Sequence, residues 1–166
     1  MRIYNFNAQE IMSAAAQKLI EIAKLRAQEK GLDYLGALTP QETWSLLNED
    51  ENAVLVDVRT HAEQDWVGQV SFSPDRSFHI EWNNYPDGER NQEFIAQLAA
   101  RVQQDQPVLF ICRSGARSHH AASLAAKNGF PNAINVLEGF EGDKNDDHQR
   151  SSVNGWRFHG LPWEQH

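Results

Sequence analysis

Apolar and polar positions along the 166-residue chain follow two different periods. Ile11, Ala15, Leu19 and Ile22 recur at three- and four-residue spacing, which predicts an amphipathic helix over residues 8–30 with Gly31 as its C-terminal stop. A surface helix normally buries one stripe, so packing on the rest of the chain is favoured over self-association. From residue 37 short apolar runs alternate with helical stretches. A GAL strand leads into Thr39-Pro40-Gln41-Glu42, a capping box with proline at the first helical position, and the helix it opens carries Trp44, Leu46 and Leu47. AVLVDV at 53–58 is an unbroken apolar run, the pattern of a strand buried on both faces of a parallel sheet. Thr60 to Glu63 cap a further short helix. FHIEW at 78–82 predicts a strand, Asn91 caps the helix QEFIAQLAARVQQ, and Pro107 starts the strand VLFIC. A helix follows from about Ser114–Ser118 to Asn128, ended by Gly129, and AINVL at 133–137 is the last strand.

This alternation predicts an α/β domain with a mostly parallel five-stranded sheet and helices on both faces, a three-layer α/β/α arrangement. The expected division is an N-terminal helical extension over 1–36 and the α/β domain over 37–166. Sheets of this kind bind ligands at the carboxyl ends of their strands, where Cys112, Asp57 and Arg59 fall. Residues 142–155 form a polar loop. Its Asp143, Asn145 and Asp147 alternate as in a calcium loop, but His148 and Asn154 stand where that loop needs glycine and glutamate, so it reads as solvated.

Composition narrows the function classes. The net charge of −8 and pI near 5.3 argue against nucleic-acid and anionic-membrane partners. No stretch approaches the roughly 20 apolar residues of a spanning helix, and the first residues lack the apolar core of a signal peptide. A single cysteine excludes an intramolecular disulfide, so a reducing cytoplasm is expected.

That cysteine lies in LFICRSGARSHHAAS, residues 109–123. Core packing is the common fate of a free cysteine. Here Cys112 instead enters a turn between Arg113 and Arg117, ahead of an alanine-rich helix. An ordinary thiol is only about 3% ionised at pH 7. Nearby arginines, a helix N-terminus and the N–H groups of Arg113, Ser114, Gly115, Ala116, Arg117 and Ser118 all favour a bound or developing anion, with Gly115 permitting the tight backbone. Cys112 is therefore the candidate nucleophile and residues 113–118 the candidate substrate cradle. The C-x-x-x-x-R spacing is one residue shorter than the phosphate loop of cysteine phosphatases, and suits one sulfur atom better than a tetrahedral phosphate. Three classes remain: sulfur transfer, phosphatase or arsenate-reductase chemistry (the latter lacking its second cysteine), and a partner-binding or redox-sensing module.

Asp57 and Arg59 either border the site or form an ion pair tying down a strand end, and the second reading is favoured. Trp82 is a candidate pocket-lining aromatic; Trp156 and Trp163 read as packing anchors. His119 and His120 point in different directions on one helix, which disfavours a shared metal, and they read as surface residues.

CRSGARS, LVDVRTHAE at 55–63 and the GFEGD…GW…GLPW tail, with Trp82 after the third strand, together resemble the single-domain rhodanese family over residues 37–163. The resemblance implies a sulfurtransferase. Cys112 would take a sulfane sulfur from thiosulfate or a persulfide donor, carry it as a persulfide held by the loop N–H groups, and pass it to a small-molecule or protein acceptor, a ping-pong scheme without cofactor or metal. Arg117 would orient the anionic donor or acceptor. The chain departs from the family pattern at Gln64, where an aromatic is usual, at Gly68-Gln69-Val70 in place of Gly-His-Ile, and at Glu138-Gly139-Phe140 in place of a double glycine.

Overall fold

The computed structural model describes residues 12–166, as α1 (Ala14–Lys30), β1 (Gly36–Leu38), α2 (Pro40–Glu49), β2 (Val54–Asp57), α3 (His61–Val67), β3 (Gln69–Val70), β4 (Ser77–His79), α4 (Phe94–Ala99), β5 (Val108–Ile111), α5 (Ala116–Lys127), β6 (Ala133–Val136) and β7 (Trp163–Glu164). Five strands form one sheet in the order β1-β6-β5-β2-β4, with every neighbouring pair parallel. β3 and β7 make a separate antiparallel pair.

Side chains divide by parity along the central strands, as the pleat requires. Val54, Val56, Val58, Val108, Phe110 and Cys112 join a buried cluster with Phe94 of α4 and Ala121, Ala122 and Ala125 of α5. Leu55, Leu109 and Ile111 join the opposite cluster with Ala16 and Ala23 of α1, Leu46 and Leu47 of α2, and Trp156. The sheet is thus covered on both faces. The chain steps outward from β2 to β4 and in the other direction from β5 to β6. The carboxyl ends of β2 and β5 therefore meet at the switch point where such sheets receive ligands.

Both capping boxes form, Thr39 with Glu42 and Thr60 with Glu63. Other boundaries differ from expectation. α1 starts at Ala14, capped by Ser13 rather than running from residue 8, and Ile11 lies outside the described residues. Its buried line runs through Ala16 and Ala23, while Ala15 is exposed. Small residues there let α1 lie directly on β1, where a Cβ at Gly36 would collide with the Ala23 backbone. Arg26 fixes the contact by pairing with Glu42 and donating to the Ala37 carbonyl at 3.1 Å. α4 is only Phe94–Ala99, shorter than the expected helix: Asn91 Oδ1 accepts the N–H of Glu93, the residue just before the helix, and the backbone tightens after Leu98, whose carbonyl accepts both Arg101 and Val102. The third strand is Ser77–His79 rather than 78–82, because beyond it only Ile80 and Trp82 donate to the Asp57 and Val58 carbonyls.

Candidate active site at the cysteine loop

Cys112 follows the last residue of β5, and β5 lies beside β2, so Sγ sits at the switch point. The thiol is 1% exposed, at the floor of the loop rather than on its rim. Gly115 N–H donates to Sγ at 3.1 Å, and Ser118 Oγ lies 3.2 Å from it. Gly115 is the N-cap of α5 at φ 101°, a left-handed conformation that other side chains resist and that turns its N–H back onto the sulfur.

The loop backbone is braced from the segment after β6. Phe140 N–H donates to the Cys112 carbonyl, and Glu141 and Gly142 N–H groups donate to that of Arg113, at 2.8, 2.9 and 3.2 Å. This close approach needs Gly139, at φ 68°, since a Cβ there would lie 2.6 Å from the Arg113 carbonyl. Glu138 adopts the same φ without being glycine. Its carboxylate accepts the Gly155 N–H at 2.9 Å and meets His159 Nε2 at 2.8 Å, so the residue replacing a glycine ties the C-terminal segment to the loop.

Arg117 is half-buried and reaches across to α3. Its two Nη atoms donate to the two Glu63 carboxylate oxygens at 2.7 and 2.6 Å, a bidentate pair. Burial raises the Glu63 carboxyl, but hydrogen bonds from Arg117 and Thr60 outweigh it and bring the group down to about 2. The Arg117 guanidinium is raised in turn, chiefly by Glu63. In the sequence Glu63 reads only as a helix cap and a motif position; the signal for its wider role is an acidic side chain in the first turn of the helix that follows β2. Arg113, by contrast, is exposed and makes no ion pair among the described residues. Ser114 is half-buried and Ala116 exposed.

Asp57 and Arg59 pair with each other in the interior. The Arg59 backbone N–H and Nε donate to Asp57 Oδ1, both at 3.0 Å, and Nη2 donates to Oδ2 at 2.7 Å. Gln64 Nε2 adds a bond at 3.0 Å, so the residue in place of the usual aromatic caps this carboxylate. Burial pushes Asp57 up, and the charge and hydrogen bonds of Arg59 override it to leave the carboxyl below its ordinary range. Arg59 is fully buried, with Nη2 donating to the Gly68 carbonyl and its guanidinium over the Phe140 ring. The pair therefore ties the end of β2 to the α3–β3 turn and to the bracing segment.

Trp82 packs in the same core cluster as Cys112, edge-on to Phe94 and covered by the Arg90 guanidinium. A cavity of about 460 Å³ opens at the carboxyl end of β4 between His61, His79, Glu81, Gln97 and Arg101, and its walls include neither Trp82 nor Cys112. Trp156 is fully buried and donates to the Pro162 carbonyl, whereas Trp163 is partly exposed beside Phe140 and Arg157. The 142–155 loop closes on itself through Asp143 and Asn154. His120 is exposed, but His119 is half-buried and bonded to Tyr34. No described helix is long and apolar enough to cross a membrane.

A parallel α/β domain with a cysteine loop at its switch point is the class that fold and site define. Within it, the chain belongs to the rhodanese-like domain family, whose profile matches residues 39–146. The thiosulfate sulfurtransferase GlpE of Actinobacillus succinogenes is 31% identical over 128 residues, covering 76% of this chain and 88% of its own. An uncharacterized protein of Rickettsia rickettsii, the RP600 homolog, is 32% identical over 74% of this chain and 92% of its own. The crystal structure of Rv0390 from M. tuberculosis matches with a TM-score of 0.73 at 40% identity, over 80% of this chain and 99% of that one. The polysulfide-sulfur transferase homodimer of Wolinella succinogenes, at 22% identity and a TM-score of 0.56 over 96% of this chain and 94% of its own, shares the fold.

Proposed function

We propose that the protein is a sulfurtransferase in which the Cys112 thiolate attacks the sulfane sulfur of thiosulfate or a persulfide. With thiosulfate, the S–S bond of the donor breaks, sulfite leaves with the electron pair, and the outer sulfur remains on Cys112 as a persulfide anion. A thiolate or cyanide then attacks that sulfur and Cys112 leaves as thiolate. Charge and atoms balance in both steps without metal or cofactor. The observation that carries this reading is the Gly115 N–H donated to Sγ at 3.1 Å with the Ser118 hydroxyl beside it. Donors aimed at Sγ stabilise the thiolate before its attack and again as it leaves in the second step.

Two features refine the scheme. Because Sγ is almost fully buried, access to it is narrow, which favours small donors. Because both Nη atoms of Arg117 are engaged by Glu63, Arg117 acts as a clamp on the loop, and the exposed Arg113 is the cation that meets an anionic donor. The acceptor is a small thiol or a protein thiol, and the unpaired single cysteine suits a reducing compartment such as the cytoplasm.

The test is a mass spectrum of the intact protein after thiosulfate, beside the Cys112→Ser variant, with thiocyanate measured after cyanide addition. One added sulfur on the native chain and none on the variant is expected. Hydrolysis of phosphate esters with no sulfur adduct would overturn the assignment in favour of phosphatase chemistry.

A further inference from the structure

Gly115 contributes more than its N–H, because its carbonyl is held as well. That oxygen accepts the His119 N–H of the helix and the Asn135 side-chain amide, both at 3.3 Å. Asn135 lies on β6, an interior strand between β1 and β5, and is buried. A buried amide in a parallel strand is expensive unless it is used, and Asn135 Oδ1 lacks a hydrogen-bond partner. The other donor on that carbonyl, His119, is itself held through its side chain by Tyr34. Tyr34 belongs to the link between α1 and β1 and carries its hydroxyl to His119 Nδ1 at 2.7 Å, with the two rings edge-on at 5.4 Å. Desolvation pushes the phenol up to about 12, so the hydroxyl keeps its proton as a fixed part of this chain.

The groups converge on one backbone hinge. Gly115 separates the loop that holds Cys112 from the helix whose first turn holds Ser118, and both Gly115 N–H and Ser118 Oγ are aimed at Sγ. On the sulfurtransferase reading above, we infer that Asn135, backed by Tyr34 and His119, positions Gly115 for Cys112, so that the segment joining the N-terminal helix to the sheet supports the cysteine loop. These are positioning residues: none has a polar contact with the sulfur, and each acts through the Gly115 peptide. Catalytic donors have to be held within a fraction of an ångström, and a left-handed glycine has no side chain of its own to hold it.

The experiment reads Cys112 directly, since it is the only thiol. The rate of alkylation by iodoacetamide is followed from pH 6 to pH 10 in the native chain and in Tyr34→Phe, Asn135→Ala, His119→Ala and His119→Gln, alongside persulfide formation from thiosulfate. Loss of a positioned hydrogen bond predicts a fall of about fivefold in alkylation at neutral pH and an upward shift of its pH midpoint for Tyr34→Phe and Asn135→Ala. Persulfide formation should slow in kcat with the thiosulfate KM unchanged. His119→Gln, which retains an acceptor for the Tyr34 hydroxyl, should recover most of what His119→Ala loses. Should Asn135→Ala fail to fold, Tyr34→Phe decides, because it removes one oxygen atom and keeps the ring. Native alkylation profiles in folded Tyr34→Phe, with any effect confined to unfolding midpoints, would overturn the inference. A native chain that acquires sulfur neither from thiosulfate nor from a persulfide would instead refute the function, and leaves the alkylation comparison intact.

Discussion

Glu63 and Arg117 are 54 positions apart in sequence and meet through two hydrogen bonds of 2.6 and 2.7 Å that join α3 to the first turn of α5. Glu63 also closes the capping box of α3, accepting the Thr60 N–H. One carboxylate thus anchors a short helix and holds the first turn of α5, and in doing so occupies the arginine that the family resemblance assigns to the substrate anion.

Substituting Glu63→Gln should weaken the protein and strengthen its hold on thiosulfate. The pair is about one-fifth exposed, between the surface and buried limits, so a stability loss of about 1–2 kcal/mol is expected in urea unfolding. Released Arg117 is then free for the dianion, and the thiosulfate KM should fall. The pH dependence follows from the lowered Glu63 carboxyl. A depressed folded-state value gives stability that is complete above the ordinary carboxylate range and is lost as pH falls toward about 2. The stability difference between native chain and variant should accordingly be constant above about pH 5 and shrink between there and pH 2. A KM that rises in Glu63→Gln would mean that the clamp, not a freed charge, governs donor binding.

Asp57→Asn tests whether the end of β2 is structural or borders the chemistry. The change leaves Arg59 fully buried with its charge uncompensated, a loss of about 3–5 kcal/mol in unfolding free energy. The double variant with Arg59→Met should recover part of it, because both charges then disappear together. If the pair is structural, the folded fraction of Asp57→Asn acquires sulfur from thiosulfate at the native rate. A slowed sulfur-acquisition step in fully folded protein would place Asp57 in the reaction.

Glu138 and Gly139 share one φ value and should respond very unequally to substitution. Gly139→Ala puts a methyl 2.6 Å from the Arg113 carbonyl in a backbone conformation that resists side chains, so a loss of about 2–3 kcal/mol and a displaced cysteine loop are expected. Glu138→Gly removes the bonds to Gly155 and His159 but relieves the left-handed strain, and should change stability by no more than about 1 kcal/mol. Thermal unfolding and persulfide formation measured on both variants check the contrast. A severe Glu138→Gly defect would show that the C-terminal segment, more than the loop backbone, sets the site.

What the sequence makes legible here is whatever depends on near neighbours. Thr39 with Glu42 and Thr60 with Glu63 cap helices three residues away, and the AVLVDV and VLFIC runs alternate between two faces of one sheet. The placement of Cys112 at a strand's carboxyl end follows from those runs alone. Contacts between distant positions are not legible in this way. Tyr34 reaches His119 across 85 positions, and Glu63 reaches Arg117 across 54. Trp82 illustrates the same limit: its position at a strand end suits a pocket, yet Arg90 and Phe94 enclose it in the core. Apolar spacing alone continues through Ile11, whereas α1 begins at Ala14 because Ser13 supplies its N-cap. The departures at Gln64 and Glu138 acquire reasons only in three dimensions, as a cap on Asp57 and a tie to Gly155.

Arg113→Ala separates the two arginines of the loop. Arg113 is exposed and Arg117 is engaged by Glu63, so the first should meet a charged donor from solvent. Removing it should raise the thiosulfate KM by about two- to fivefold, the scale of one exposed charge pair, with kcat and stability nearly unchanged. The effect should shrink as salt rises toward 1 M, because an exposed cation is screened over about 3 Å at that ionic strength. Alkylation by neutral iodoacetamide should proceed at the native rate, since Gly115 and Ser118 still face Sγ. Steady-state kinetics at two salt concentrations, run beside Arg117→Ala, decide the matter. An unchanged KM in Arg113→Ala together with a raised one in Arg117→Ala would mean that the donor displaces Glu63 and takes its arginine.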